Sequence, residues 1–244
     1  MTAGSTLLLL GGEEWRPGTE PADRWWLARA ARPAVTVVTS AAGDQAERAV
    51  TWARRYFAGL GAAVDACHIL TGADAADPAR LQELEGAAAL YLCGGDPALA
   101  RSVLVGSPAG ARLGARFRAG VPVAGSSAGA MVLADPCLLP AAGFATRPGL
   151  GLLPATVVVP HWGRATEPWR LAVARLTARH PCLCLDERTG VGWDGDAWRV
   201  LGAGGAVVIG PRGATPVGSG AALPRPGTMA PMTSPDPVEE RRHE

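Results

Sequence analysis

Short apolar runs, each closed by glycine or a polar turn, alternate along the chain with longer stretches of helical period. This alternation predicts strands over residues 6–10, 34–39, 63–68, 88–92 and 121–124, with further strands over 156–159 and 182–185. Strands that alternate with helices build βαβ units, and the implied architecture is α/β with a mostly parallel central sheet. Between the second and third strands lies DQAERAVTWARRYFAGLG, where Ala46, Val50, Ala53 and Phe57 recur at three or four residues. They share one helical face, which packs on the sheet while Glu47, Arg54 and Arg55 face water.

The rhythm changes at WDGDAWRVLGAGGAVVI, residues 193–209, where β-like runs over 198–201 and 206–209 flank a glycine-rich connection. The expectation is a hairpin that ends the parallel sheet in antiparallel strands. From Leu223 onward LPRPGTMAPMTSPDPVEERRHE is rich in proline and poor in apolar residues, too poor to offset the entropy lost on ordering. Residues 1–222 are therefore expected to form one domain, and 223–244 a mobile tail.

Composition narrows the function classes. With 23 basic residues, all arginine, against 22 acidic ones, the net charge of +1 creates no global field for a polyanion, which argues against nucleic acid as a partner. The four leucines near the start follow no basic segment and are too few for a secretory signal or a membrane span, so a cytoplasmic protein with no membrane partner is expected. Five scattered cysteines, Cys67, Cys93, Cys137, Cys182 and Cys184, have no spacing suited to zinc and read as buried free thiols. No GxGxxG follows the first strand, which weakens a nucleotide-binding reading of LLLLGG.

The stretch VAGSSAGAM carries the first candidate chemistry. Gly125 and Gly129 frame Ser127 as Gly-x-Ser-x-Gly at a strand-to-helix turn, the pattern of a nucleophile elbow. The following helix would aim its N-terminus and the Ala128 N–H at a nearby oxyanion. A serine so placed needs a base. Of four histidines, His161 directly follows the strand TVVV and Pro160, at the carboxyl edge where open α/β sheets place their chemistry. For the acid, CLCLDERTG puts Asp186 and Glu187 at the end of the next strand. Adjacent strand residues face opposite ways, so one of the two reaches His161, and Asp135, eight residues past the serine, is a competitor. In ALYLCGGDPALA, the N–H groups of Gly95 and Asp96 are candidates to oppose that of Ala128 in an oxyanion pocket, with Pro97 opening the next helix. The order serine, histidine, acid departs from that of α/β-hydrolases, where histidine comes last.

Together LLLLGGEE, YLCGGDP, VAGSSAGAMV, GLGLLPATVVVPHWGRATEPWR and CLCLDERTGV, spread from Leu7 to about Ile209, resemble the cyanophycinase and dipeptidase E family of serine peptidases, relatives of the class I glutamine amidotransferases. The resemblance implies a flavodoxin-like three-layer α/β sandwich and hydrolysis of a peptide bond next to aspartate in a small peptide, through a Ser-His-acid triad and without cofactor or metal. By position Ser127 resembles the nucleophile, His161 the base and Glu187 the cyanophycinase-type acid, while dipeptidase E relatives would favour Asp135. Gly95, with Asp96 and Ala128, resembles the oxyanion element. Arg164 and Arg170 fall where family arginines occur and are candidates to bind a substrate carboxylate. Analogy with relatives adds a homodimer as an expected partner. The chain departs from cyanophycinases at Pro97, where they carry glutamine, and at Val159 and Pro160, where they carry a polar pair. These departures motivate a second reading, a non-catalytic binding or regulatory protein with an amidotransferase-like shell.

Overall fold

The computed structural model describes residues 5–217 together with Leu223, Arg225 and Pro226. The expected tail over 223–244 otherwise lies outside the described residues, and Leu223 itself packs, half-buried, on the main core. In chain order the elements are β1 (Leu7–Leu10), α1 (Glu20–Leu27), β2 (Ala34–Val38), α2 (Ala46–Gly59), β3 (Ala63–Cys67), α3 (Pro78–Gly86), β4 (Leu90–Leu92), α4 (Pro97–Leu104), α5 (Pro108–Arg118) and β5 (Val123–Ser126). They continue with α6 (Ala128–Leu133), β6 (Cys137–Leu139), β7 (Ala145–Arg147), β8 (Val157–Val159), α7 (Glu167–Leu176), β9 (Cys182–Leu185), β10 (Thr189–Trp193), β11 (Trp198–Gly202), β12 (Ala206–Gly210) and β13 (Gly213–Pro216).

The main sheet has the order β11-β10-β1-β5-β4-β2-β3. Its five strands from β1 to β3 run parallel, and β10 and β11 extend it antiparallel. Strand β1 shows why the run LLLL reads as a central strand. All four leucines are fully buried, with Leu7 and Leu9 in one core and Leu8 and Leu10 in the other, as the two-residue period of a strand covered on both faces requires. Helices α1 and α2 cover one face, where Trp26, Phe57 and Tyr91 meet edge to face or tilted. The buried positions of α2 are Ala46, Val50, Ala53 and Phe57, the face read from the sequence. The opposite face packs on residues from α3 to α6.

One pairing differs from expectation. The runs 198–201 and 206–209 do not form a hairpin with each other. Strand β11 pairs with β10 at the edge of the main sheet, whereas β12 pairs with β9 and β13 in a second sheet of order β13-β12-β9-β8. The connection changes sheets, and Asp186 fixes the crossing: its N–H donates to the Gly205 carbonyl at 3.1 Å and its Oδ2 accepts from the Gly205 N–H at 2.9 Å. The C-terminal hairpin is β12–β13. Strands β8 and β9, parallel to each other, likewise belong to this smaller sheet.

Under α1, Asp23 is fully buried and accepts from the Tyr56 hydroxyl at 2.7 Å, while its Oδ1 has no partner among the described residues. Burial pushes its carboxyl up from 3.8 to about 7. Between these values the unfolded chain ionises while the folded one holds its proton, so the contribution to stability falls as pH rises from about 4 to 7 and is level above that. Asp23→Asn keeps an acceptor for Tyr56 and removes the ionisation. The variant should gain on the parent across that window by on the order of 4 kcal/mol, measured by urea unfolding at pH 4 and pH 8. An equal gain at both pH values would contradict this account.

Candidate active site

Ser127 lies between β5 and α6 with φ 49° and ψ −114°, a conformation that costs on the order of 1–3 kcal/mol in a non-glycine residue. Close packing holds it there. A Cβ on Gly129 would stand 2.2 Å from the Leu92 carbonyl oxygen, and one on Gly125 would stand 2.7 Å from the Gly129 backbone. Only glycines let the turn approach the end of β4 and fold back on itself. The Ser127 N–H donates to the Leu10 carbonyl at 3.0 Å.

His161 follows β8 in the left-handed region, φ 56°, and its N–H donates to the Gly11 carbonyl at 2.8 Å. Its ring packs over Gly12, where an added Cβ would come within 2.1 Å of Cε1. His161 Nε2 is 3.0 Å from Ser127 Oγ, and Nδ1 is 3.3 Å from Glu187 Oε1. The neighbouring Arg188 N–H donates to the Gly12 carbonyl at 3.0 Å. Three consecutive carbonyls beyond the middle of β1, those of Leu10, Gly11 and Gly12, therefore anchor the loops that carry Ser127, His161 and Glu187. With its proton on Nδ1, the imidazole donates to Glu187 and accepts from the Ser127 hydroxyl, an arrangement able to take a proton from Oγ and return it to a leaving group.

The structure separates the three acids. Glu187 alone of them meets His161. Asp186 clamps the sheet crossing at Gly205, and Asp135 accepts from the Gly149 N–H at 3.1 Å. Of the candidate oxyanion donors, the Gly95 N–H has no partner among the described residues, whereas the Asp96 N–H donates to the Ala41 carbonyl at 2.8 Å and is spent on the fold. The Asp96 carboxylate caps α4 at Ala98, and Pro97 takes the first position of that helix. Gly95 has φ 141°, and a Cβ there would stand 2.0 Å from the Ala41 carbonyl oxygen.

The two arginines read as carboxylate binders are both exposed, and each has a protein partner. Arg164 lies 3.5 Å from Glu13 Oε1 and 3.4 Å from the same Glu187 oxygen that faces His161. Arg170 donates to the Ala165 carbonyl and stacks over Trp162. Sequence reasoning assigned no role to Glu13 and Glu14. Glu13 receives Arg188 at 2.8 and 3.2 Å, and that guanidinium holds its carboxyl below the usual range. Glu14 accepts from the Gly94 N–H at 2.7 Å and the Ser126 hydroxyl at 2.8 Å, tying the glycine turn to the elbow. Their signal was position: GGEE directly follows β1, at the same sheet edge as the other motifs. A cleft of about 480 Å³ opens here, lined in part by His161, Gly94, Gly95, Trp15 and Trp52.

The sequence model of peptidase family S51 matches residues 7–201, which span both Ser127 and Glu187. The chain belongs to peptidase family S51. Among solved structures it is similar to a peptidase from an acI-B1 actinobacterium, at 21% identity and a TM-score of 0.80 over 90% of this chain and 96% of that one. It is also similar to a candidate peptidase E protein from Listeria monocytogenes EGD-e, at 14% identity and a TM-score of 0.64 over 82% and 99% of the two chains. At such identities these likenesses speak for the fold. No curated protein matches the chain.

In this S51 peptidase, cysteine is a poor alternative nucleophile. All five thiols are free and buried, and burial pushes that of Cys93, beside Gly94, up to about 12. Family membership and the packing of the His161 ring generate a prediction. Gly12→Ala must displace the imidazole from Ser127, so peptidase activity should fall at least tenfold while far-UV circular dichroism stays that of the parent. Full activity in the folded variant would show that the ring position is not critical.

Proposed function

We propose that the chain hydrolyses a peptide or amide bond in a small aspartyl-containing peptide through an acyl-enzyme on Ser127. The observation that carries this reading is the 3.0 Å contact between Ser127 Oγ and His161 Nε2 at a strained glycine-framed turn, continued at 3.3 Å to Glu187. Ser127 Oγ attacks the scissile carbonyl carbon as its proton passes to His161 Nε2. Glu187 orients the ring and stabilises the imidazolium. The negative charge that develops on the carbonyl oxygen is met by the N–H groups of Gly95 and Ala128, which have no other partner among the described residues. Collapse of the tetrahedral intermediate breaks the C–N bond, and the leaving amine takes its proton from His161. Water, deprotonated by the same imidazole, then attacks the ester carbon and frees Ser127.

Strain at the serine supports the reading independently. A residue held at positive φ between two obligatory glycines costs stability, and such conformations cluster at functional sites. The aspartyl part rests on resemblance to the dipeptidase E and cyanophycinase family.

A fluorophosphonate probe should label the parent at Ser127. Ser127→Ala should unfold at the parent's temperature, escape labelling and lose hydrolysis of aspartyl dipeptides, β-Asp-Arg included, by at least a thousandfold. Undiminished turnover in that variant, or an unlabelled parent serine, would overturn the mechanism. The second outcome would favour a binding role for the same shell.

A further inference from the structure

The cleft beside His161 contains two arginines that the proposed chemistry does not use. The guanidinium carbons of Arg16 and Arg48 lie 5.0 and 4.5 Å from the ring centroid of Trp52, which is 38% exposed. All three residues line the cleft together with Gly94, Gly95 and His161. An indole face attracts each cation but neutralises neither. Two like charges gathered on one ring also repel each other.

Among the described residues neither guanidinium reaches a carboxylate within ion-pair distance, whereas Arg164 and Arg188 both do. The acids of the cleft are already engaged, Glu13 by Arg188 and Glu14 by Gly94 and Ser126. Ala42 and Gln45, just before α2, and Ala49 in its first turn complete this wall, so the positive end of that helix dipole adds to the same potential. The carboxylates of the cleft have close partners, whereas Arg16, which acts on Glu13 only from beyond ion-pair distance, and Arg48 have no ion-pair partner among the described residues.

We propose that Arg16 and Arg48, presented on Trp52, form the subsite that binds a carboxylate of the substrate peptide. This rests on the hydrolytic reading above and deepens it. A peptide carboxylate supplies the missing countercharge and accepts forked N–H donors from two sides. The Trp15 and Trp52 rings give the adjoining carbons an apolar wall. Arg164, beside Glu187, is left to organise the site.

The carboxylate can come from an acidic side chain or from the C-terminus, and four dipeptides distinguish them: Asp-Leu, Asn-Leu and the C-terminal amides of both. Binding is measured by calorimetry to Ser127→Ala protein, where no turnover intervenes. Loss of the recognised carboxylate should weaken binding about tenfold or more, and the arm that loses it names the source. Adding Arg16→Gln and Arg48→Gln should abolish that preference while the amide of Asn-Leu binds as before. With Ser127 intact, the same pair should raise KM for the charged peptide and leave fluorophosphonate labelling unchanged. No binding by any of the four, no preference for a carboxylate, or a preference that survives both substitutions would overturn the subsite. Carboxylate-selective binding with an unlabelled serine would sink the hydrolytic reading and leave the subsite standing.

Discussion

Three successive backbone acceptors at the end of β1 hold the candidate site together. The Leu10 carbonyl takes the N–H of Ser127, that of Gly11 takes the N–H of His161, and that of Gly12 takes the N–H of Arg188, next to Glu187. The three loops come from points 34 and 26 residues apart in sequence, and no local propensity brings them together. A central strand buried on both faces does so, because its carboxyl end is a fixed edge from which carbonyls project beyond the ladder. The glycines of LLLLGG follow from this use. At Gly12 any side chain would occupy the volume of the imidazole, and at Gly11 an added Cβ would strike the Asp186 carbonyl oxygen at 2.1 Å.

Strain and charge are distributed around that edge. Ser127, His161 and Arg188 all have positive φ, so each anchoring loop is held in a conformation its own residue disfavours. Ionic contacts run from Arg188 through Glu13 and Arg164 to Glu187, so the carboxylate facing His161 also faces a cation. Partly exposed pairs of this kind add little stability. Their contribution is to the orientation of side chains on the proposed reaction path.

Much of this was legible in the sequence, for a physical reason. Strands β1 to β5 and the buried face of α2 follow from local period, and Ser127, His161 and Glu187 stand out because each terminates an apolar run, which in an α/β sheet is where chemistry collects. What local pattern does not carry is partnership. The runs at β11 and β12 look like one hairpin, yet β11 pairs with β10 and β12 with β9, and Asp186 reaches Gly205 across 19 residues at the crossing between them. The N–H of Asp96 looks as available as that of Gly95 until Ala41 is seen to accept it. Nor does local pattern show that Arg164 stands beside Glu187 and Arg170 beside the Ala165 carbonyl.

The second sheet has a mechanical consequence. His161 and Glu187 follow β8 and β9, parallel neighbours in the small sheet, whereas Ser127 and the 94–95 turn follow β5 and β4 of the large one. The proposed proton path thus passes from one sheet to the other, and the main-chain bonds from His161 to Gly11 and from Arg188 to Gly12, with the core the two sheets share, keep the base in register with the elbow.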